Sequence, residues 1–207
     1  MNRSGIINAL IRRHGYARYL EIGTQNRANN FDKISCAEKT CVDPDPDAAA
    51  DFVMTSDAFF AEVGSSFDIV FIDGLHHRDQ VARDIENALG RLARGGSIVV
   101  HDCNPAEELH QRVPCESDIW NGDVWKAWVA LRATRADLDM RVVDCNHGCG
   151  VIQRTSDHPR RLHPVQPLLA SAVVEKALGK DGFAYFDVHR QELLNLVSVA
   201  AFTESLG

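Results

Sequence analysis

The run Phe67-Asp68-Ile69-Val70-Phe71-Ile72-Asp73 constrains the fold more than any other stretch of the chain. It is nearly all apolar and closes on a carboxylate, the pattern of a strand buried on both faces. Two buried faces require helices above and below, and such helices come from right-handed strand–helix–strand crossovers. The expected fold class is therefore α/β, a doubly wound and mainly parallel sheet. The rest of the sequence repeats the theme. Tyr19 to Gly23, Lys39 to Val42, Phe52 to Met54 and Ser97 to His101 all read as strands. Helices are predicted over 4–14, with Ser4 as N-cap and Gly15 as stop, and over 56–63, capped by Ser56. A third spans 78–94, where Val81, Ile85, Ala88, Leu89 and Leu92 form one stripe and Gly95-Gly96 ends it. Residues 24–35 read as a loop with a short helix.

Past Asp102 the pattern loosens. Asn104-Pro105 opens an irregular connection, and 124–133 predicts a helix N-capped by Asp123. Residues 140–144 and 151–153 predict an antiparallel edge hairpin turned at Asn146-His147-Gly148. Thr155 to Pro167 reads as a linker, and two helical segments are expected from Val165 onward. This divides the chain into a domain over 1–155 and a C-terminal helical extension over 156–207. The extension either packs on that domain or forms a homodimer seam through Leu193–Val199.

Composition limits the partners. The 207 residues carry a formal net charge of −7, which argues against a nucleic-acid phosphate binder. No apolar run approaches the roughly 20 residues that span a bilayer, and the start lacks a signal-peptide pattern. The expectation is a cytoplasmic protein whose six cysteines stay thiols. Cys145, His147 and Cys149 leave a zinc site open, although the usual second ligand pair is missing.

In an open parallel sheet, ligands bind beyond the carboxyl ends of the strands. Those ends here are Gly23, Asp43, Asp73 and Asp102. Asp43 follows Gly23 by 20 residues, a spacing that suits a carboxylate accepting both ribose hydroxyls of a nucleoside. The loop Thr24-Gln25-Asn26-Arg27 lacks the glycines of a pyrophosphate cradle, which disfavours a NAD-dependent oxidoreductase.

Four segments carry a family resemblance: Tyr19-Leu20-Glu21-Ile22-Gly23-Thr24, Cys41-Val42-Asp43-Pro44-Asp45-Pro46, Phe67 to His76 and Leu92 to Asp102. In this order and spacing, over about residues 17–153, the chain resembles class I S-adenosylmethionine-dependent methyltransferases, closest to methyltransferase family 24. The resemblance implies a Rossmann-like, seven-stranded sheet with a reversed last strand. It implies that Glu21, Gly23 and Thr24 line the methionine part of S-adenosylmethionine (SAM). Asp43 would hold the ribose, Thr55, Ser56 and Asp57 would lie near the adenine, Asp73 would lie beneath the sulfonium, and Pro44 and Gly74 would also bind the cofactor. Gln25 and Arg27 depart from the family, which often has glycine there.

Methyl transfer to a hydroxyl needs an aligned acceptor and often removal of a proton. The candidates for that chemistry are Asp73, His76, His101 and Asp102, all at two adjacent strand ends. Asp73, His76 and Asp102 form a mixed ligand set suited to Mg2+ or another divalent cation. Metal-dependent O-methyltransferases such as catechol O-methyltransferase carry an Asp-Asn pair on the second strand, where this chain has Asp102-Cys103. The metal-free alternative makes His76 or His101 the general base, with His77 capping the next helix. Together these readings predict O-methylation of a small hydroxylated acceptor, a sugar or a secondary metabolite. The alternative is a non-catalytic cofactor-binding or interaction module with the same fold.

Overall fold

A computed structural model describes residues 1–157 and 167–207. Its strands are β1 (Arg18–Ile22), β2 (Glu38–Asp43), β3 (Phe52–Val53), β4 (Phe67–Ile72), β5 (Leu92–Val100), β6 (Leu138–Val143), β7 (Cys149–Arg154) and β8 (Leu196–Val197). They form one sheet in the order β3-β2-β1-β4-β5-β7-β6-β8. From β3 to β5 all pairs are parallel, and β7 is reversed against both β5 and β6. The chain moves outward from β1 to β3 and returns to β4, so strand order switches between β1 and β4. That switch point is where an open α/β sheet leaves a crevice.

The helices are α1 (Arg3–His14), α2 (Ser56–Glu62), α3 (Arg78–Arg91), α4 (Val124–Thr134), α5 (Ser171–Leu178), α6 (Gly182–Leu194) and α7 (Val199–Leu206). The β4 run is apolar on both faces because each face meets a different core. Val70 and Ile72 enter one core with Ile85, Leu89 and Trp128. Ile69 and Phe71 enter the other with Ile6, Ile7 and Leu10 of α1. Alternation along a strand sends successive side chains to opposite sides.

Several local expectations are corrected. Among the described residues the sheet has eight strands rather than seven, because Leu196-Val197 adds to the edge of β6. Within the Leu- and Val-rich stretch 193–199, the first two residues pack inside the chain's own core. Leu193 and Leu194 are fully buried within the single chain, and Trp128 Nε1 donates to the Leu194 carbonyl at 3.2 Å. Among the described residues, the C-terminal part holds three helices rather than two. α3 stops at Arg91 instead of 94, since Leu92 already pairs with Phe67 and the register then slips before Ile69. Asn2, not Ser4, caps α1; Ser4 is buried and donates to Asn30 Oδ1 at 2.7 Å. Thr55, not Ser56, caps α2; the Ser56 hydroxyl donates to Asp84 at 2.6 Å.

The expected caps at His77 and Asp123 do not form. Neither side chain caps its own helix. Instead Asp123 Oδ1 accepts the backbone N–H of Arg78, the first residue of α3, at 2.7 Å. Most of the expected linker, residues 158–166, lies outside the described residues. Among the described residues, no helix is long and apolar enough to cross a membrane.

Candidate active site

A cavity of about 740 Å³ opens at the carboxyl ends of β1, β2, β4 and β5. Every predicted cofactor residue lines it, as do His76, His101 and Asp102. The crevice is tight at its floor. Gly23 has φ +84°, and a Cβ there would sit 2.2 Å from the Asp73 carbonyl oxygen. Only glycine allows the β1 and β4 ends to approach so closely.

Asp43 is buried, with one oxygen accepting Gln25 N at 2.8 Å and the other accepting Asp45 N at 2.9 Å. Those bonds fix the carboxylate while leaving each oxygen further lone pairs. The Thr24 hydroxyl is buried on the same wall without a hydrogen-bond partner. Gln25, where the family often has glycine, has φ +52°, the left-handed region glycine favours. Arg27, the second departure, serves the scaffold by pairing with Asp51 at 2.9 Å and covering the Phe31 ring.

Glu21 is 1 % exposed. It accepts from the Tyr19 hydroxyl and from Asn30 Nδ2. Burial pushes its carboxyl up to about 7, which these hydrogen bonds only partly oppose.

The two strand ends beside Glu21 bring four titratable groups together. His76 Nε2 lies 3.4 Å from Asp73 Oδ1 and 3.4 Å from Asp102 Oδ2. His101 Nδ1 lies 3.2 Å and 3.1 Å from the same two oxygens. Burial alone would lower His101, but Asp73 and Asp102 outweigh it and raise the imidazole to about 10. Burial alone would raise Asp73, yet His101 and His76 hold its carboxyl well below the ordinary range. His76 is also shifted: burial opposes its charge, and the two carboxylates raise it above its usual 6.5. His101 is only 4 % exposed, against 17 % for the His76 side chain, so His76 is the histidine a ligand can reach.

The connection after β5 completes the site, and here sequence reasoning fell short. His76 Nδ1 donates to the Trp120 carbonyl at 3.1 Å, and the two rings pack at 5.1 Å. Asn121 Nδ2 donates to Asp102 Oδ1 at 2.6 Å, while its own Oδ1 is buried without a partner. Asn121 carries no local sequence signal. Arg3, on α1, is a third unexpected participant, with Nη1 3.3 Å from Asp73 Oδ2. His147 reaches the rim from the hairpin turn and packs on His101 at 6.3 Å. Among the described residues, the one group of three side chains placed to hold a metal is Asp73, His76 and Asp102. The zinc site considered at Cys145, His147 and Cys149 is not assembled, and all six cysteines are free.

The fold is the Rossmann-like one found in methyltransferases. Residues 8–103 match the family model described as a methyltransferase domain, methyltransferase family 24. Among solved structures, the chain is similar to a methyltransferase from Podospora anserina bound to S-adenosylhomocysteine (SAH). The identity is 15%, 74% of this chain and 78% of that chain are covered, and the TM-score is 0.56. It is also similar to the O-methyltransferase TomG from Streptomyces achromogenes, involved in tomaymycin synthesis and crystallised with SAM. There the identity is 16%, the coverage 74% and 79%, and the TM-score 0.55. No curated protein matches the chain.

Proposed function

We propose that the chain is a SAM-dependent O-methyltransferase acting on a small hydroxylated molecule. The observation that carries this reading is the single crevice. It runs from Asp43, through Gly23 and Asp73, to the pairing of His76 with Asp102. One end suits a nucleoside and the other suits proton removal, with the reacting centre between them. In this reading Glu21, Gly23 and Thr24 line the amino-acid part of the cofactor. Asp43 and Pro44 hold the ribose, Thr55, Ser56 and Asp57 border the adenine, and Asp73 and Gly74 lie beneath the sulfonium. Residues 1–155 carry the chemistry, and 156–207 brace it.

SAM supplies an electrophilic methyl group, which the acceptor oxygen attacks in line as the sulfur leaves with the bonding pair. The chain's task is to align that oxygen, exclude water and take its proton. His76 suits the last role. Its Nδ1 must carry a proton to donate to Trp120, so in the neutral ring Nε2 presents a lone pair. That nitrogen is the proton acceptor. Asp73 and Asp102 stabilise the imidazolium that results, and His101 holds both carboxylates in place.

The same geometry suits a divalent cation. A lone pair and two carboxylate oxygens converge, their ligand atoms within 4.8 Å of one another. The imidazole is fixed from behind by a backbone carbonyl, as ligating histidines usually are. Asp73, His76 and Asp102 would hold such an ion, and it would acidify and orient an acceptor hydroxyl.

The test is methyl transfer from labelled SAM to a panel of hydroxylated acceptors. His76→Ala is expected to abolish transfer while leaving SAH affinity intact. Full transfer by His76→Ala would remove that residue from the chemistry.

A further inference from the structure

Charge on the cavity wall is lopsided. Among the described residues, seven carboxylates line it, from Glu21 to Asp118, and Arg3 is the only Lys or Arg. That guanidinium is not at the rim by accident of a floppy side chain. Arg3 is the first residue of α1, and Asn2 caps that helix by accepting from Gly5 N at 3.0 Å. The backbone N–H of Arg3 is tied across the molecule to Asn146 Oδ1 at 3.2 Å. From this anchored position its guanidinium reaches Asp73 Oδ2 at 3.3 Å. Asp73 Oδ1 faces the opposite way in function, meeting His76 and His101. Among the described residues, Asp73 is the guanidinium's only bonded partner, so most of its five N–H donors remain available. Its positive charge also reaches Glu21, in the wall alongside.

A guanidinium, the Asp73 carboxylate and the Glu21 carboxyl side by side, on a wall rich in acid, do not suit a simple anion or a simple cation. They suit a zwitterion, whose ammonium and carboxylate leave one carbon. On the reading of the site given above, the cofactor carries one such group, its α-amino acid. We propose that Arg3 is the residue that recognises the carboxylate of the cofactor's amino-acid moiety, with Asp73 and Glu21 receiving the ammonium. Binding then exchanges one internal contact of Arg3 for a bidentate contact, the geometry in which guanidinium binds carboxylate best. The N-terminal helix is therefore part of the cofactor site, and it lies almost wholly ahead of the strands that carry the family's motifs.

Titration calorimetry of the full chain with three probes tests this. SAH carries both charges, decarboxylated SAH keeps the ammonium alone, and methylthioadenosine has neither. For Arg3→Ala, SAH affinity should fall about tenfold or more, while both truncated probes stay within about twofold of wild type. Arg3→Lys, which keeps the charge without the fork, should fall between. The melting temperature of each variant without ligand shows that folding is unchanged, since the side chain makes one partly exposed ion pair. An equal loss for all three probes would overturn the assignment, because Arg3 would then be shaping the cavity as a whole. Unchanged SAH affinity in Arg3→Ala would overturn it too. If the wild type bound none of the probes, the cofactor reading itself would fall, and the assignment with it.

Discussion

At Glu21 the chain carries an ionisable group on a strand otherwise sealed from water. The folded protein keeps its proton up to about pH 7, whereas the unfolded chain releases it near the ordinary 4.5. Between those values the unfolded state binds fewer protons than the folded one, so stability falls as pH rises. Well above pH 7 the full cost, on the order of 3 kcal/mol, is present. Glu21→Gln keeps hydrogen-bonding capacity without charge. It should flatten the pH dependence of urea unfolding between pH 4.5 and 7 and be more stable than wild type at pH 8; an unchanged slope would contradict the assignment. The strand-end acids Asp43, Asp73 and Asp102 were legible in the sequence because each follows an apolar run. Arg3 and Asn121 were not. Arg3 meets Asp73 and Asn121 meets Asp102 only through tertiary folding, and no local periodicity marks such partners.

Among elements, the contact between the His76 loop and the start of α4 governs the geometry of the site. Gly122 has φ +59°, and a Cβ there would sit 1.9 Å from the His76 carbonyl oxygen. The next residue, Asp123, donates its N–H to that same oxygen at 3.1 Å and caps α3 with its carboxylate. Gly122→Ala should push the two segments apart. Methyl transfer should drop at least about tenfold, the usual scale for misaligned reacting groups, with SAH affinity nearly kept. Wild-type transfer rates would show that this docking does not set the chemistry. The C-terminal elements act on stability instead. Leu194 is fully buried beside Trp128 and Phe186. Leu194→Ala should cost about 2–5 kcal/mol in urea unfolding. A loss below about 1 kcal/mol would mean that these helices hardly support the core. The helices and strands themselves were largely legible, since hydrophobic period reports them directly. Their ends were not: caps at Asn2, Thr55 and Asp123 depend on which neighbouring oxygen arrives first. β8, with two residues, is too short for any period to show.

For the whole molecule, the account joins two halves of one crevice, a cofactor half at β1 and β2 and a proton-removing half at β4 and β5. Because His76 must lose its proton to act, and its neighbours raise it above 6.5, transfer should rise with pH through a point above 6.5. Added Mg2+ or Mn2+ competes with that proton and should move the rise to lower pH. A pH–rate profile with and without metal reads both effects, and a rise centred below 6.5 without metal would contradict them. The central claim is more basic, that this crevice holds SAM with Asp43 on its ribose. Calorimetric titration of wild type and Asp43→Ala with SAH tests it directly. The account predicts micromolar binding by the wild type and a loss of roughly tenfold to a hundredfold in the variant, the scale of two hydrogen bonds to a charged acceptor. No binding by the wild type, or equal binding by both proteins, would contradict it.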